Sequence, residues 1–321
     1  MLKPMLMTPA WRHGAMTPWG GEKLSHLYNK KSPGPQAGEC LELSAIPGHE
    51  SRDEDGRTLT QLIEEHGSAL LGRKIKEPFP LLLKLIDAKE QLSVQVHPDD
   101  DYAREHHSKL GKNEAWVILH AEPGAQLIIG LKDGVTEDDL RQAAKKGRAV
   151  EALMRKVSVQ PGEVYYIPAG TVHAIGAGLV LYEIQQSSDV TYRLYDWGRV
   201  DKDGKGRELH LADSLNVVDL NSRPTPAEPG LVLSDERGRM ERMLDTPYFQ
   251  LDRLSDCKDL RIQSSPSNFS VITAFSPMWI AWEDGELKLQ AGQTALLPAD
   301  GYELSLTGDS ALLASPHVLE S

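Results

Sequence analysis

Gly162 to Pro168 to His173 reads G-E-V-Y-Y-I-P-A-G-T-V-H, and this spelling dictates backbone before it suggests chemistry. Glu163 to Pro168 is a short apolar and aromatic run of the kind that forms a strand. Pro168 and Gly170 then mark a tight turn, because proline fixes φ and glycine accepts the left-handed region. His173 stands where the following strand begins. A lone histidine after a turn is commonly structural. Here the Gly-Pro-Gly frame delivers the imidazole back toward a sheet, which makes it a candidate ligand.

Working outward, the same grammar recurs. Leu81 to Ile86, Gln91 to His97, Glu114 to Leu119, Ala125 to Gly130 and Leu179 to Gln185 are short strand-like runs separated by Gly and Pro. Helices are fewer. Thr58-Leu59-Thr60-Gln61 spells a capping box that opens a helix toward Leu70. Asp99 to His107 forms another helix, and Thr136 to Lys146 a third, with acids in its first turn and lysines in its last. Ala149 to Val157 reads as a further helical piece with Val150, Leu153 and Met154 on one face. Without regular strand–helix alternation, the expected class is mainly β and antiparallel, with helical insertions in the N-terminal part. The Pro-rich stretch Asn221 to Gly230 places a domain boundary near residue 225, giving an N-terminal unit of 1–225 and a C-terminal unit of 226–321. A faint repeat links the two: A-G-Q-T-A-L-L-P from Ala291 to Pro298 keeps the Gly and Pro spacing of Gly162 and Pro168, and Glu303 stands where the histidine would be. The second unit is thus expected to be a barrel without a metal site.

Composition excludes several functions. Lys and Arg number 35 against 47 Asp and Glu, a formal charge of −12, which disfavours nucleic acid or an anionic membrane as partner. No apolar run approaches the ~18 residues that span a bilayer. The N-terminus lacks a secretory pattern, so a cytoplasmic protein is expected. Cys40 and Cys257, far apart, fit two reduced thiols.

Alternation in Leu92 to His97 puts Ser93, Gln95 and His97 on one face and Leu92, Val94 and Val96 on the other. Glu114, Trp116 and Ile118 share a face on another strand. His97, Glu114, His173 and the amide of Gln95 carry one negative charge between them. A divalent ion so held keeps positive charge and polarises oxygen ligands. Zinc suits this set best, with Mn, Fe and Co compatible by ligand type. Lys84, inside the apolar run Leu81 to Leu85, and Ser93 suit a phosphate, while Lys112 and Arg193 add positive charge nearby.

The Gly162 to His173 frame resembles the second signature of cupin barrels. The residues as a set are similar to the type I phosphomannose isomerases, in their short bacterial form. The likeness runs through Pro18 to Gly21, Gly38 to Ser44, Phe79 to Asp87, Leu92 to Asp99, Gly111 to Trp116, Val159 to Gly176, Gln185 to Trp197 and Arg207 to Leu211. One departure is visible: Asn113 and Ala115 flank Glu114 where the family usually has a Cys or Pro nearby. The resemblance implies two cupin-like β-barrels of jelly-roll type. It also implies one zinc ion per chain and interconversion of D-mannose 6-phosphate and D-fructose 6-phosphate through a cis-enediol. Carried over by motif, His97, Glu114, His173 and Gln95 hold the metal and Arg193 is the active-site arginine. Lys84 and Ser93 take the phosphate; Lys112, Trp19, Glu39 and Asp189 line the pocket. The proton carrier stays open among Glu39, Asp189, Lys112 and a water at the ion. The partner implied is a phosphorylated hexose, with no nucleic acid or membrane, on a monomer or homodimer. Two rivals stand beside this reading: a silent sugar-phosphate-binding cupin, and another metal-dependent cupin enzyme such as an oxygenase. The latter usually shows an H-x-H pair, which is absent near His97.

Overall fold

Strand Leu81–Ala88 is buried along its whole length, and its alternation sends side chains into two different interiors. Leu81, Leu83 and Leu85 enter a core that also contains Phe249, Val271 and Leu312 from the C-terminal part of the chain. Ile86 and Ala88 enter a second core. The neighbouring strand Leu179–Gln186 divides in the same way: Val180, Tyr182 and Ile184 go to the first core, Leu179 and Leu181 to the second. Strands buried on both faces lie at the centre of a layered structure.

The computed structural model, which describes residues 2–75 and 78–317, contains three sheets. A six-stranded sheet runs in the order Ala10–Arg12, Glu39–Leu43, Leu81–Ala88, Leu179–Gln186, Glu114–Ala121, Val164–Ile167. A five-stranded sheet runs Tyr192–Tyr195, Val94–Val96, His173–Ile175, Gln126–Leu131, Met154–Ser158. These two face each other across the second core, where Trp116 and Ile118 of one meet Leu127, Ile129 and Ile175 of the other. The third sheet has nine strands and includes Met5–Met7, which pairs with Thr294–Leu297.

The mainly β, antiparallel expectation agrees with this architecture, but the barrels do not close. Among the described residues each hydrogen-bonded path ends on a free edge, and side-chain packing across the core joins the sheets instead of a continuous ladder. A second correction concerns Ala149 to Val157. Gly147–Leu153 is a 3₁₀ turn, and Met154–Ser158 is a strand whose Val157 pairs with Leu127. Val150 and Met154 are buried as expected, but an edge position on the sheet overrides the local helical period. The helices Leu59–His66, Asp100–His107 and Glu137–Lys145 form where the capping residues place them. Thr58 with Gln61, and Thr136 with Asp139, make complete capping boxes. Among the described residues no helix is long and apolar enough to cross a membrane.

A buried ion pair holds Glu42, whose carboxylate links its strand to Thr294 of the third sheet. Lys30 Nζ lies 2.6 Å from Glu42 Oε1, and Thr294 Oγ1 donates to Glu42 Oε2 at 2.9 Å. Removing one partner of a buried pair leaves the other charge uncompensated, which costs about 3–5 kcal/mol. Lys30→Met is therefore expected to lose stability on that scale, read as a lower urea midpoint at unchanged slope. A midpoint equal to that of the wild type would show that the pair contributes nothing.

Candidate metal centre and anion pocket

Three elements converge on one point between the facing sheets. Glu114 opens its strand at the same register as Gln185, so its carboxylate points into the second core's side of the sheet. His173 opens its strand after the turn that the sequence spells. Gly170 has φ of +85°, and a Cβ there would lie 3.0 Å from the Val217 carbonyl oxygen, so the turn requires glycine. The Gly170 N–H donates to the His97 carbonyl at 2.9 Å, which fastens the His173 turn to the His97 segment.

The imidazoles of His97 and His173 lie with ring centroids 4.7 Å apart. His97 Nε2 is 3.5 Å from Glu114 Oε2, and His173 Nε2 is 3.4 Å from Glu114 Oε1. One ligand atom from each residue falls within 4.8 Å of the others. His173 Nδ1 is 2.8 Å from the Thr171 carbonyl oxygen, so that nitrogen carries the proton and donates. Nε2 is then a bare lone pair, buried and without a hydrogen-bond partner. Both Glu114 oxygens are likewise buried without a hydrogen bond, although the Lys112 ammonium stands 3.1 Å from Oε2 as an ion partner. Burial, followed by the Lys112 charge, brings His97 down to about 3. Burial also lowers His173. Both imidazoles are therefore neutral donors. Burial alone would raise the Glu114 acid, but Lys112 and the two imidazoles more than offset it and hold the carboxyl well below its ordinary range. His97 Nε2 lies 3.0 Å from Lys112 Nζ, whereas His173 Nε2 and both Glu114 oxygens have no hydrogen bond; two neutral imidazoles and an anionic carboxylate so placed are the donor set of a divalent ion.

Gln95 lies directly beside His173 on one side and Arg193 on the other, in register across three strands. Side chains so paired share a face, so Gln95 and Arg193 project toward the same interior as His173. The cavity there measures about 210 Å³. Trp19, Glu39, Lys84, Ser93, Gln95, Lys112, Asp189 and Arg193 all line it, so every expected pocket residue meets the others. Lys84 Nζ is 2.8 Å from Glu183 Oε1 and 3.8 Å from Glu39 Oε1. Burial alone would lower Lys84, but these two carboxylates raise it. Arg193 Nε donates to Ser93 Oγ at 3.3 Å. Asp189 is held at 2.5 Å by Lys109. Ser93 lies outside the ladder, which covers only Val94–Val96, yet it still reaches the cavity.

Sequence reasoning missed Glu183. Its carboxylate is buried, accepts from Trp116 Nε1 at 2.9 Å and pairs with Lys84. Burial raises its acid above the ordinary range despite that ammonium. The signal that picked out Lys84, a charge within an apolar run, was present in L-V-L-Y-E-I-Q-Q as well. Arg12 and Arg207 also line the cavity and were not singled out.

Comparison with known proteins agrees with this geometry. The family described as phosphomannose isomerase type I, catalytic domain, matches residues 15–116. Mannose-6-phosphate isomerase of Streptococcus mutans is 34% identical over 303 residues, spanning 92% of this chain and 94% of that protein. Mannose-6-phosphate isomerase ManA of Bacillus subtilis is 40% identical over 227 residues, 69% of this chain and 70% of that one. The crystal structure of a mannose 6-phosphate isomerase from Bacillus subtilis superimposes with a TM-score of 0.90 at 30% identity, covering 98% of this chain and 99% of the other.

Proposed function

The chain belongs to the type I phosphomannose isomerases, and from that premise we propose that it is a zinc-dependent mannose-6-phosphate isomerase working at the His97–Glu114–His173 centre. The observation that carries the reading is the set of buried donor atoms without hydrogen bonds on Glu114 and His173, beside a cation-rich cavity that Gln95 and Lys112 line. His97, Glu114 and His173 would hold the ion, with Gln95 beside them as the fourth donor. When bound, the ion supplies Lewis acidity toward the sugar oxygens at C1 and C2.

The reaction moves one proton between adjacent carbons. A base takes the C2 proton of open-chain mannose 6-phosphate while the C1 carbonyl oxygen gains a proton, which gives a cis-enediol. Protonation at C1 and loss of the C2 hydroxyl proton then give fructose 6-phosphate, with no net gain or loss of atoms. Glu39, Lys112 and Asp189 all line the cavity as candidate proton carriers, Glu39 paired with Arg12 and Lys112 with Glu114. Asp189 is engaged by Lys109. Arg193 stabilises the negative charge that develops on the enediol oxygens. Ser93 and Lys84 orient the substrate through its phosphate, binding energy drawn from atoms that do not react. Trp19, which is buried beneath the cavity, forms an apolar wall.

A coupled assay that follows fructose 6-phosphate from mannose 6-phosphate tests the proposal. Turnover is expected, together with its loss on chelation and its return on addition of zinc. Activity that survives chelation unchanged would remove the metal from the mechanism. Absence of turnover by zinc-loaded protein would leave a sugar-phosphate-binding protein.

A further inference from the structure

The cations around the cavity are not equally free. Arg12 pairs with Glu39 at 3.1 Å, Lys84 with Glu183 and Glu39, and Lys112 with Glu114. Charge at that end is matched carboxylate for cation. The other end differs. Among the described residues Arg193 has no carboxylate within 4.0 Å; it donates to Ser93 Oγ and, at 2.9 Å, to the Glu208 carbonyl. Arg207 lines the same cavity and shares the one carboxylate of Asp196 with Arg199. Among the described residues the other carboxylate near Arg199 is Glu90, at 3.7 Å and on the surface; Arg199 also donates to the Gln91 carbonyl. Behind the burial of Arg193, the charge of Arg207 is the next cause that lowers its pKa, so the two guanidiniums repel across the gap. Two like charges held near one another, with too little carboxylate to neutralise them, suit an anion bearing more than one charge.

We propose that Arg207 is a specificity-determining residue that grips the substrate phosphate at the mouth of the cavity, beside Ser93 and outside Arg193. The inference rests on the sugar-phosphate reading above and deepens it. Asp196 serves as a rest for the guanidinium: its Oδ2 and Oδ1 accept from Arg207 Nε and Nη2 at 2.7 and 2.6 Å. These bonds hold the loop between Trp197 and Leu209 against the site. Arginine's planar fork can donate to two phosphate oxygens at once, where lysine offers a point charge. Lys84 shares its charge with two carboxylates, so Arg207 would add positive charge that a dianion needs beyond it.

The test is Arg207→Gln, Arg207→Lys and Asp196→Asn in zinc-loaded, full-length protein, with steady-state kinetics and calorimetric binding of inorganic phosphate. Arg207→Gln is expected to raise KM for mannose 6-phosphate about tenfold or more, the scale of one charge-assisted hydrogen bond, with kcat changed by less than about threefold. The phosphate Kd should weaken by a similar factor, and Arg207→Lys should recover part of it. Asp196→Asn keeps the cation and one oxygen that accepts from it, so its loss in phosphate Kd should be clearly smaller than that of Arg207→Gln. Unchanged KM and phosphate Kd in Arg207→Gln would overturn the proposal. So would an Asp196→Asn protein as impaired in phosphate binding as Arg207→Gln, because both residues would then act only as a strap. If wild-type protein binds phosphate without turning over the sugar, the isomerase reading fails, while the phosphate titrations still decide the role of Arg207.

Discussion

His173→Ala protein is expected to purify with little metal, below about a tenth of the wild-type content, and to lose about a thousandfold or more in kcat/KM. A bound ion contributes several kcal/mol of charge stabilisation, and about 4 kcal/mol corresponds to that factor. The argument rests on how His173 is held. Its Nδ1 proton is committed to the Thr171 carbonyl, so Nε2 can only accept, and it faces Glu114 at 3.4 Å. With the imidazole gone, Glu114 retains Lys112 as a counter-charge at 3.1 Å and has less need of an ion. The fold should survive. The strand His173–Ile175 is paired on both sides, and alanine leaves its register opposite Gln95 and Ile129 in place. Elemental analysis alongside circular dichroism checks this. A folded variant with full metal occupancy would show that His173 is not a ligand.

How much of this was legible in the sequence depends on whether the information was local. The His173 turn was legible, because proline and glycine at those positions leave few backbone options. So was the shared face of Gln95 and His97, which follows from alternation, and the oddity of Lys84 within an apolar strand. Convergence was not legible. Glu114 and His173 belong to different sheets, and only packing across the core through Trp116, Leu127 and Ile175 brings them together. Lys84 was noticed as a cation, but its partners Glu183 and Glu39 sit on the strands to either side, and pairing between strands leaves no trace in the spelling of one of them. Arg207 lies in a polar loop where nothing local distinguishes it from a solvated arginine. Met154–Ser158 was misread for the same reason. Its apolar residues satisfy a helical period over one turn, and the ladder with Gln126–Leu131 that decides otherwise is remote in sequence.

Arg193→Ala is expected to keep its metal and lose about a hundredfold or more in kcat, the scale seen when a donor to developing negative charge is removed. Arg193 stands one strand beyond Gln95 from His173, so its side chain enters the cavity next to the ligands rather than among them. Its orientation is fixed before substrate arrives. Ser93 Oγ accepts from Nε, the Glu208 carbonyl accepts from Nη1, and the backbone N–H of Arg193 donates to His210 Nδ1 at 3.2 Å. Burial lowers the pKa of the guanidinium, yet arginine remains charged at any pH of interest, so the site keeps a preorganised positive charge in a region with little water. Such a group acts more on the transition state than on the ground state, where the sugar oxygens are neutral. The effect should therefore appear in kcat, in contrast to the KM effect expected at Arg207. Arg193→Lys supplies the charge without the fork and should recover only part of the loss. Metal content equal to wild type, with kcat reduced and KM little changed, is the expected pattern. A variant that turns over at the wild-type rate would remove Arg193 from catalysis, and one that loses its metal would make it a support for the centre.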